Sequence, residues 1–342
     1  MTDKLSIGFL GGGPVTQAIH LPVLATMADR WRVARVMDIN LPVAQAVAAR
    51  CGAEATTDPL QVIEDPAIDA VAICSPNAFH AEQVIAACRA GKRAVLCEKP
   101  LAVTREEADA IVAVAAETNT AIMVGTMHRY DPGFRAALAA WREVQDEVVA
   151  VRSNIYIPPN GALVDFATQE VPSDGPPPGP PPAAPDPIRL RNTILALAIH
   201  DVPLIRTFSG QVGEVLSARR IPPFGYSLFL GNGETSVDMK AFMPGQWPAS
   251  WTFEVQGRDH ALHVDFSPSY VLAGSATATF TDRNGSRSFR FGDNGYQAQW
   301  LHLHDVVTGT SAPEVSLADA VEDLQFAIDL AERAAHFLEA NQ

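Results

Sequence analysis

Directly after the apolar run Leu5 to Leu10 stands Gly11-Gly12-Gly13-Pro14-Val15-Thr16, and from Gln17 onward the chain can wind into a helix. Read as G-x-G-x-x-G, the run supplies Gly11 for a tight turn and Gly13 for close backbone approach to a diphosphate. Pro14 and Val15 complete the loop that would carry it at a helix amino terminus. Thr16 takes the place of the third glycine, a change that weakens helix-to-strand packing and leaves the phosphate contacts possible, because a small residue can still sit there. Asp38 closes the next β-type run. An acid there accepts hydrogen bonds from adenosine ribose hydroxyls and repels a 2′-phosphate, so NAD is expected over NADP. The alternative for Asp38 is an Asx turn into Asn40.

Two later runs end in Ser75-Pro76-Asn77-Ala78-Phe79-His80 and Cys97-Glu98-Lys99-Pro100. Both ends fall on the carboxyl edge of a parallel sheet, where open α/β sheets bind ligands, so Ser75, Asn77, His80, Glu98 and Lys99 are expected to line the cofactor crevice. Other histidines invite a metal reading and fail it. His260 and His263 are spaced to diverge on a strand, and His302 and His304 are spaced to diverge on a helix, whereas zinc needs three or four convergent ligands. No metal is expected.

The elements that must position these groups follow from periodicity. Up to residue 127, short apolar runs alternate with helical patterns: Leu5 to Leu10, Trp31 to Asp38, Ala70 to Ser75, Ala94 to Glu98 and Ala121 to Gly125 as strands, Ala78 to Ala90 and Thr104 to Thr118 as helices. Thr104 followed by Glu107 has capping-box spacing. This alternation predicts an α/β doubly wound parallel sheet, a Rossmann domain over 1–127. Over 128–342 the rhythm changes. A helix over Pro132 to Val144 precedes hairpins (Phe229 to Gly231 with Gly233 to Phe242, Ala276 to Asp282 with Ser286 to Phe291), so a second α/β domain with a largely antiparallel open sheet is expected. A long closing helix is also predicted over Ser316 to Leu338. Residues 172–187 hold nine prolines and read as a surface loop or an active-site lid.

With 342 residues the chain is long enough for two such domains. An excess of 39 acidic over 25 basic residues gives a net charge of −14, which excludes the basic footprint that nucleic acid or an anionic membrane requires. Four cysteines without C-x-x-C spacing fit neither a disulfide framework nor a zinc ribbon, and the opening residues carry no signal-peptide pattern, so a cytoplasmic protein is expected. An antiparallel sheet with one uncovered face points to a homo-oligomer.

Taken together, the glycine turn followed by His20-Leu21-Pro22, the Ser75-Pro76-Asn77 and His80 stretch, Ala90-Gly91-Lys92 leading into Glu98-Lys99-Pro100, and Arg129-Tyr130-Asp131-Pro132 resemble the glucose-fructose oxidoreductase, inositol dehydrogenase and MocA family (Gfo/Idh/MocA). The resemblance is strong through residue 135 and loose afterwards. It implies a nicotinamide-dependent enzyme that interconverts a secondary hydroxyl and a ketone on a sugar or cyclitol. Lys99 falls on the family's active-site lysine, which contacts the nicotinamide ribose and the reacting hydroxyl, and Pro100 on a proline that follows a cis peptide. A lysine in a desolvated cleft beside a positive nicotinamide ring loses its proton readily and can relay one.

The family's Asp-x-x-x-His pattern on a helix of the second domain implies His200 as proton carrier. Its preceding acid is replaced by Ala196, which removes the partner that would raise the basicity of His200, unless Asp201 or the proline-rich loop substitutes. Arg129 either reaches the substrate or serves the domain boundary. Two rival readings stand beside a net dehydrogenase: transient oxidation for glycoside cleavage or epimerisation, and a non-catalytic NAD sensor.

Overall fold

The structure is a computed structural model that describes residues 4–173, 184–211, 213–243, 248–268 and 270–341, without the side chain of Asn232. Of the proline-rich stretch, residues 174–183 therefore lie outside the described residues. The chain divides into two compact units. One draws on Met1–Gly125, Val164–Gly179 and Gln299–Glu322, the other on Thr126–Leu163, Pro180–Ala298 and Asp323–Gln342.

In the first unit six strands form one sheet: β1 (Leu5–Leu10), β2 (Trp31–Met37), β3 (Glu54–Thr56), β4 (Ala70–Ile73), β5 (Ala94–Cys97) and β6 (Ala121–Val124). Their order is β3-β2-β1-β4-β5-β6 and every pairing is parallel. β1, β4 and β5 are buried along their whole length, which explains why they read as unbroken apolar runs rather than alternating ones. The sheet order reverses between β1 and β4, and the carboxyl ends at that switch point deliver Gly11 and Ser75.

Local chemistry sets the helix ends. Thr104 is extended and its hydroxyl accepts from Glu107 N at 3.2 Å, starting the helix Arg105–Thr118 as the spacing predicts. The helix after β1 starts at Pro14, three residues before the expected Gln17, because proline is preorganised for a first helical position where its missing N–H leaves no bond unmade. Residues Thr16–His20 of that helix are π-helical.

The second unit is built on eight strands: β7 (Val148–Tyr156), β8 (Glu214–Arg220), β9 (Phe224–Asn232), β10 (Thr235–Met243), β11 (Ser250–Gly257), β12 (Ala261–Asp265), β13 (Thr277–Asp282) and β14 (Gly285–Phe289). They pair in the order β14-β13-β12-β11-β7-β10-β9-β8, antiparallel except for β7 beside β10. Burial alternates along β10, where Val237, Met239 and Ala241 face inward. Helices Pro132–Val144, Asp186–Leu197 and Val202–Ser209 pack on this sheet. The end of the proline-rich stretch is helical rather than a loop: Pro187 sits in the first turn of Asp186–Leu197, a position that tolerates proline.

Candidate functional site

At the end of β1 the backbone of Gly11 takes φ +104°, and a Cβ there would lie 2.5 Å from the Cys74 carbonyl oxygen, so only glycine fits. Gly12 N donates to Asp38 Oδ2 at 2.9 Å. Around Gly13 nothing lies within 4 Å of an added Cβ. An open glycine followed at once by a helix amino terminus is the cradle a diphosphate requires. Thr16 is fully buried and its hydroxyl donates to the Gly11 carbonyl at 2.6 Å, so the residue in the third glycine position ties the turn together.

Asp38 serves two backbone groups. Its Oδ1 accepts from Asn40 N at 2.9 Å, the Asx turn, while Oδ2 holds Gly12. Each carboxylate oxygen retains a lone pair for a ribose hydroxyl. Ile39, immediately after it, is 88% exposed. Gln17, which the motif reading passes over, is buried. It donates to the Gly12 carbonyl at 2.8 Å and accepts from Val171 N at 2.9 Å, pinning the segment before the proline-rich stretch to the glycine turn.

Along the carboxyl edge, Ser75 Oγ donates to Gln83 Oε1 at 2.7 Å and Asn77 is exposed. His80 is buried, with Nδ1 2.7 Å from the Pro100 carbonyl and Nε2 2.8 Å from the Ser75 carbonyl, so its ring clamps the two strand ends together. The peptide between Lys99 and Pro100 is cis. Glu98 is buried. Its Oε1 meets His20 Nε2 at 3.0 Å and its Oε2 accepts from Lys99 N at 3.2 Å. A Cβ on Gly125 would lie 2.9 Å from that carboxyl group, so this glycine leaves Glu98 its room.

Burial alone would raise the Glu98 pKa, but the hydrogen bond from His20, with the charge and backbone N–H of Lys99 adding to it, brings it below the usual carboxylate value. Burial lowers the pKa of Lys99, with Glu98 opposing. His20 carries conflicting demands. Burial disfavours its charged form while Cys74 and Glu98 favour it, a balance that would lift its pKa to about 10. Yet the Trp300 indole N–H donates to His20 Nδ1 at 3.1 Å, and a nitrogen that accepts a hydrogen bond cannot also hold a proton. The ring these bonds allow is neutral and protonated on Nε2. Trp300 itself is fully buried, edge-on to Trp31 at 5.5 Å, and belongs to the core of the first unit.

In the second unit His200 ends the 3₁₀ turn Ala198–His200, and Asp201 begins the helix Val202–Ser209. Asp201 is fully buried. It accepts from Ser153 Oγ at 2.7 Å and from Trp251 Nε1 at 3.0 Å to each oxygen, and it meets His128 Nδ1 at 3.0 Å. The ring of His128 stacks on Phe266 at 3.7 Å. Arg129 donates to Thr207 Oγ1 and to the Pro203 carbonyl, which fastens it to the helix Val202–Ser209. His260 faces Asp146, and His263 on β12 faces Glu254. Among the described residues no group of three or more His, Cys, Asp or Glu side chains could hold a metal ion, and no helix is long and apolar enough to cross a membrane.

A family model for the oxidoreductase family with an NAD-binding Rossmann fold matches residues 5–126. Over residues 5–126 the chain is thus similar to the Gfo/Idh/MocA oxidoreductase family. Among curated relatives, an inositol 2-dehydrogenase of Paracoccus denitrificans is 40% identical over 41% of this chain and 42% of its own. A levoglucosan dehydrogenase of Pseudarthrobacter phenanthrenivorans is 31% identical over 49% of this chain and 50% of its own. The chain thus spans about half or less of the length of the curated relatives it matches. A 3-ketoreductase from Actinomadura kijaniata, solved with NADP and TDP-benzene, superimposes with a TM-score of 0.73 over 96% of this chain and 98% of its own, at 20% identity, which shows the shared fold.

Within the Gfo/Idh/MocA segment the expected residues cluster on one sheet edge, but they divide in character. Gly13 leaves space and Asp38 lone pairs for a ligand, whereas His80 and Glu98 spend their polar atoms on neighbours. His20 carries part of the resemblance and still gave no hint of its bond to Glu98, because that partner lies 78 residues away. Ser153, Trp251 and His128 carried no local signal at all.

Proposed function

We propose that this chain is an NAD-dependent oxidoreductase that interconverts a secondary hydroxyl and a ketone on a sugar or cyclitol. The observation that carries the reading is Lys99, a partly buried amine whose pKa burial lowers, at the end of the strand next to the glycine turn's own neighbour β4. The fit of the Gly11 to Val15 loop to a diphosphate, together with Asp38, supports NAD as cofactor. Bound nicotinamide would supply the hydride acceptor or donor. The chain's own residues do the rest: Ser75 and Asn77 edge the crevice, Glu98 and His80 hold the Lys99-Pro100 segment, and Lys99 takes the hydroxyl proton at its Nζ. His200 serves as the second proton carrier. Arg129, bound to Thr207 and Pro203, supports the second unit and reaches substrate only through that support.

The inositol and levoglucosan dehydrogenases among the relatives favour a cyclitol or sugar as the substrate class. The outward face of the second sheet, with Tyr156 and Phe229 exposed, supports self-association, and four free thiols go with a cytoplasmic location. A panel of sugars, inositols and their ketones, read by NADH absorbance with NAD and NADP compared, tests the assignment. Turnover with NAD that falls by orders of magnitude in Lys99→Ala, while NAD still binds, is the expected result. Full activity in that variant rejects it.

A further inference from the structure

The second unit shows an acid used in an unusual way. Asp201 occupies the residue before the helix Val202–Ser209, with Pro203 in the first turn, a sequence that reads as an ordinary cap, yet its side chain makes no capping bond. The carboxylate turns into the core instead. There it holds the Trp251 indole N–H with both oxygens, takes the Ser153 hydroxyl, and meets His128 Nδ1. Trp251 in turn stands edge-to-face against the His200 ring, centroids 5.3 Å apart and planes at 90°.

These contacts place one indole between a buried anion and the histidine that the proposed function assigns to proton transfer. Ring pairs of this kind favour one mutual orientation. A tryptophan whose N–H is fixed at two oxygens cannot rotate without breaking both bonds. Ser153, on β7, and Trp251, on β11, lie on adjacent strands and so hold the carboxylate from the same sheet.

We propose that Asp201 is a positioning residue for His200, acting through the indole of Trp251, and that it takes over the orienting part left open by Ala196. The proposal rests on the reading of His200 as a proton carrier. Asp201 acts at one remove, since its oxygens are engaged by Trp251, Ser153 and His128.

The test is a double-mutant cycle on the full chain with NAD and myo-inositol, or with the panel sugar or cyclitol of highest kcat/KM should myo-inositol not turn over. Asp201→Asn and Trp251→Phe should each lower kcat 10- to 100-fold with the NAD KM unchanged, and neither should lower kcat further in a His200→Ala background. Multiplicative losses in that background would overturn the positioning role while leaving His200 assigned. Wild-type turnover in His200→Ala alone would instead sink the reading of His200, and the positioning role with it.

Should Asp201→Asn fail to fold, Trp251→Phe carries the same test. A second readout needs no substrate: in protein labelled with 15N-histidine, both variants should move or broaden the His200 ring nitrogen signals and leave those of His80 in place. His200 signals identical to wild type would overturn the proposal.

Discussion

The indole N–H of Trp300 points at Nδ1 of His20 from 3.1 Å, and this single contact decides the protonation of the ring beneath the Lys99 strand end. With Nδ1 accepting, Nε2 must donate to Glu98. At neutral pH the 15N spectrum of His20 should therefore show the neutral, Nε2-protonated tautomer. Trp300→Phe removes the opposing donor, and the ring should then become doubly protonated between Cys74 and Glu98. An imidazolium already present in wild type would contradict the arrangement. His20→Ala leaves the buried Glu98 carboxylate without its partner and should cost about 3 kcal/mol in a denaturant titration.

Lys99 gives the protein a pH dependence whose sign is fixed. Burial holds its pKa below the ordinary 10.5. Between the folded value and that of the unfolded chain, only the unfolded chain keeps the proton, so stability rises with pH across that window. Below the window the folded state carries the penalty of a buried ammonium. Lys99→Met should raise the urea midpoint below that window and flatten its rise with pH across it. In turnover, kcat/KM for alcohol oxidation should climb as the amine loses its proton. Lys99→Arg stays charged and should be slower by about 10² to 10⁴ with no such climb.

How much of this was legible beforehand depends on range. The five strands expected in the first unit lie within two residues of their observed ends, since buried parallel strands are short apolar runs bounded by turn residues. β3 escaped because Glu54–Thr56 is too short to show any period; its place is set by pairing with β2. The Thr104 cap was visible because cap and partner are three residues apart. The carboxylate of Asp201 was not, because its partners His128, Ser153 and Trp251 stand 73, 48 and 50 residues away. Tertiary packing rather than local pattern sets its task.

Gly11 and Gly13 should part company when replaced. Alanine at 11 has to adopt φ +104° and push its Cβ against the Cys74 carbonyl, so Gly11→Ala should lose about 2–3 kcal/mol and NAD binding together. Alanine at 13 meets empty space. Gly13→Ala should keep its stability within about 0.5 kcal/mol. Its NAD affinity, read by NADH fluorescence quenching, should still fall at least about tenfold, because the new methyl group occupies the room a diphosphate needs. Unchanged affinity in Gly13→Ala would move the cofactor away from this turn.

Asp38 joins the shape of the turn to the choice of cofactor, and a single isosteric change separates the two. Asn at this position keeps one oxygen to accept from a backbone N–H, either that of Gly12 or that of Asn40. It removes the negative charge that repels a 2′-phosphate and weakens the acceptors offered to ribose hydroxyls. Asp38→Asn should therefore fold with a modest loss, about 1 kcal/mol for the one bond it cannot remake. Its ratio of kcat/KM for NAD over NADP should drop about tenfold or more, which corresponds to ~1.4 kcal/mol. If the ratio stayed fixed while stability fell, the carboxylate would be only the anchor of Gly12 and the Asx turn, and cofactor selection would have to come from residues further along the helix Leu41–Cys51.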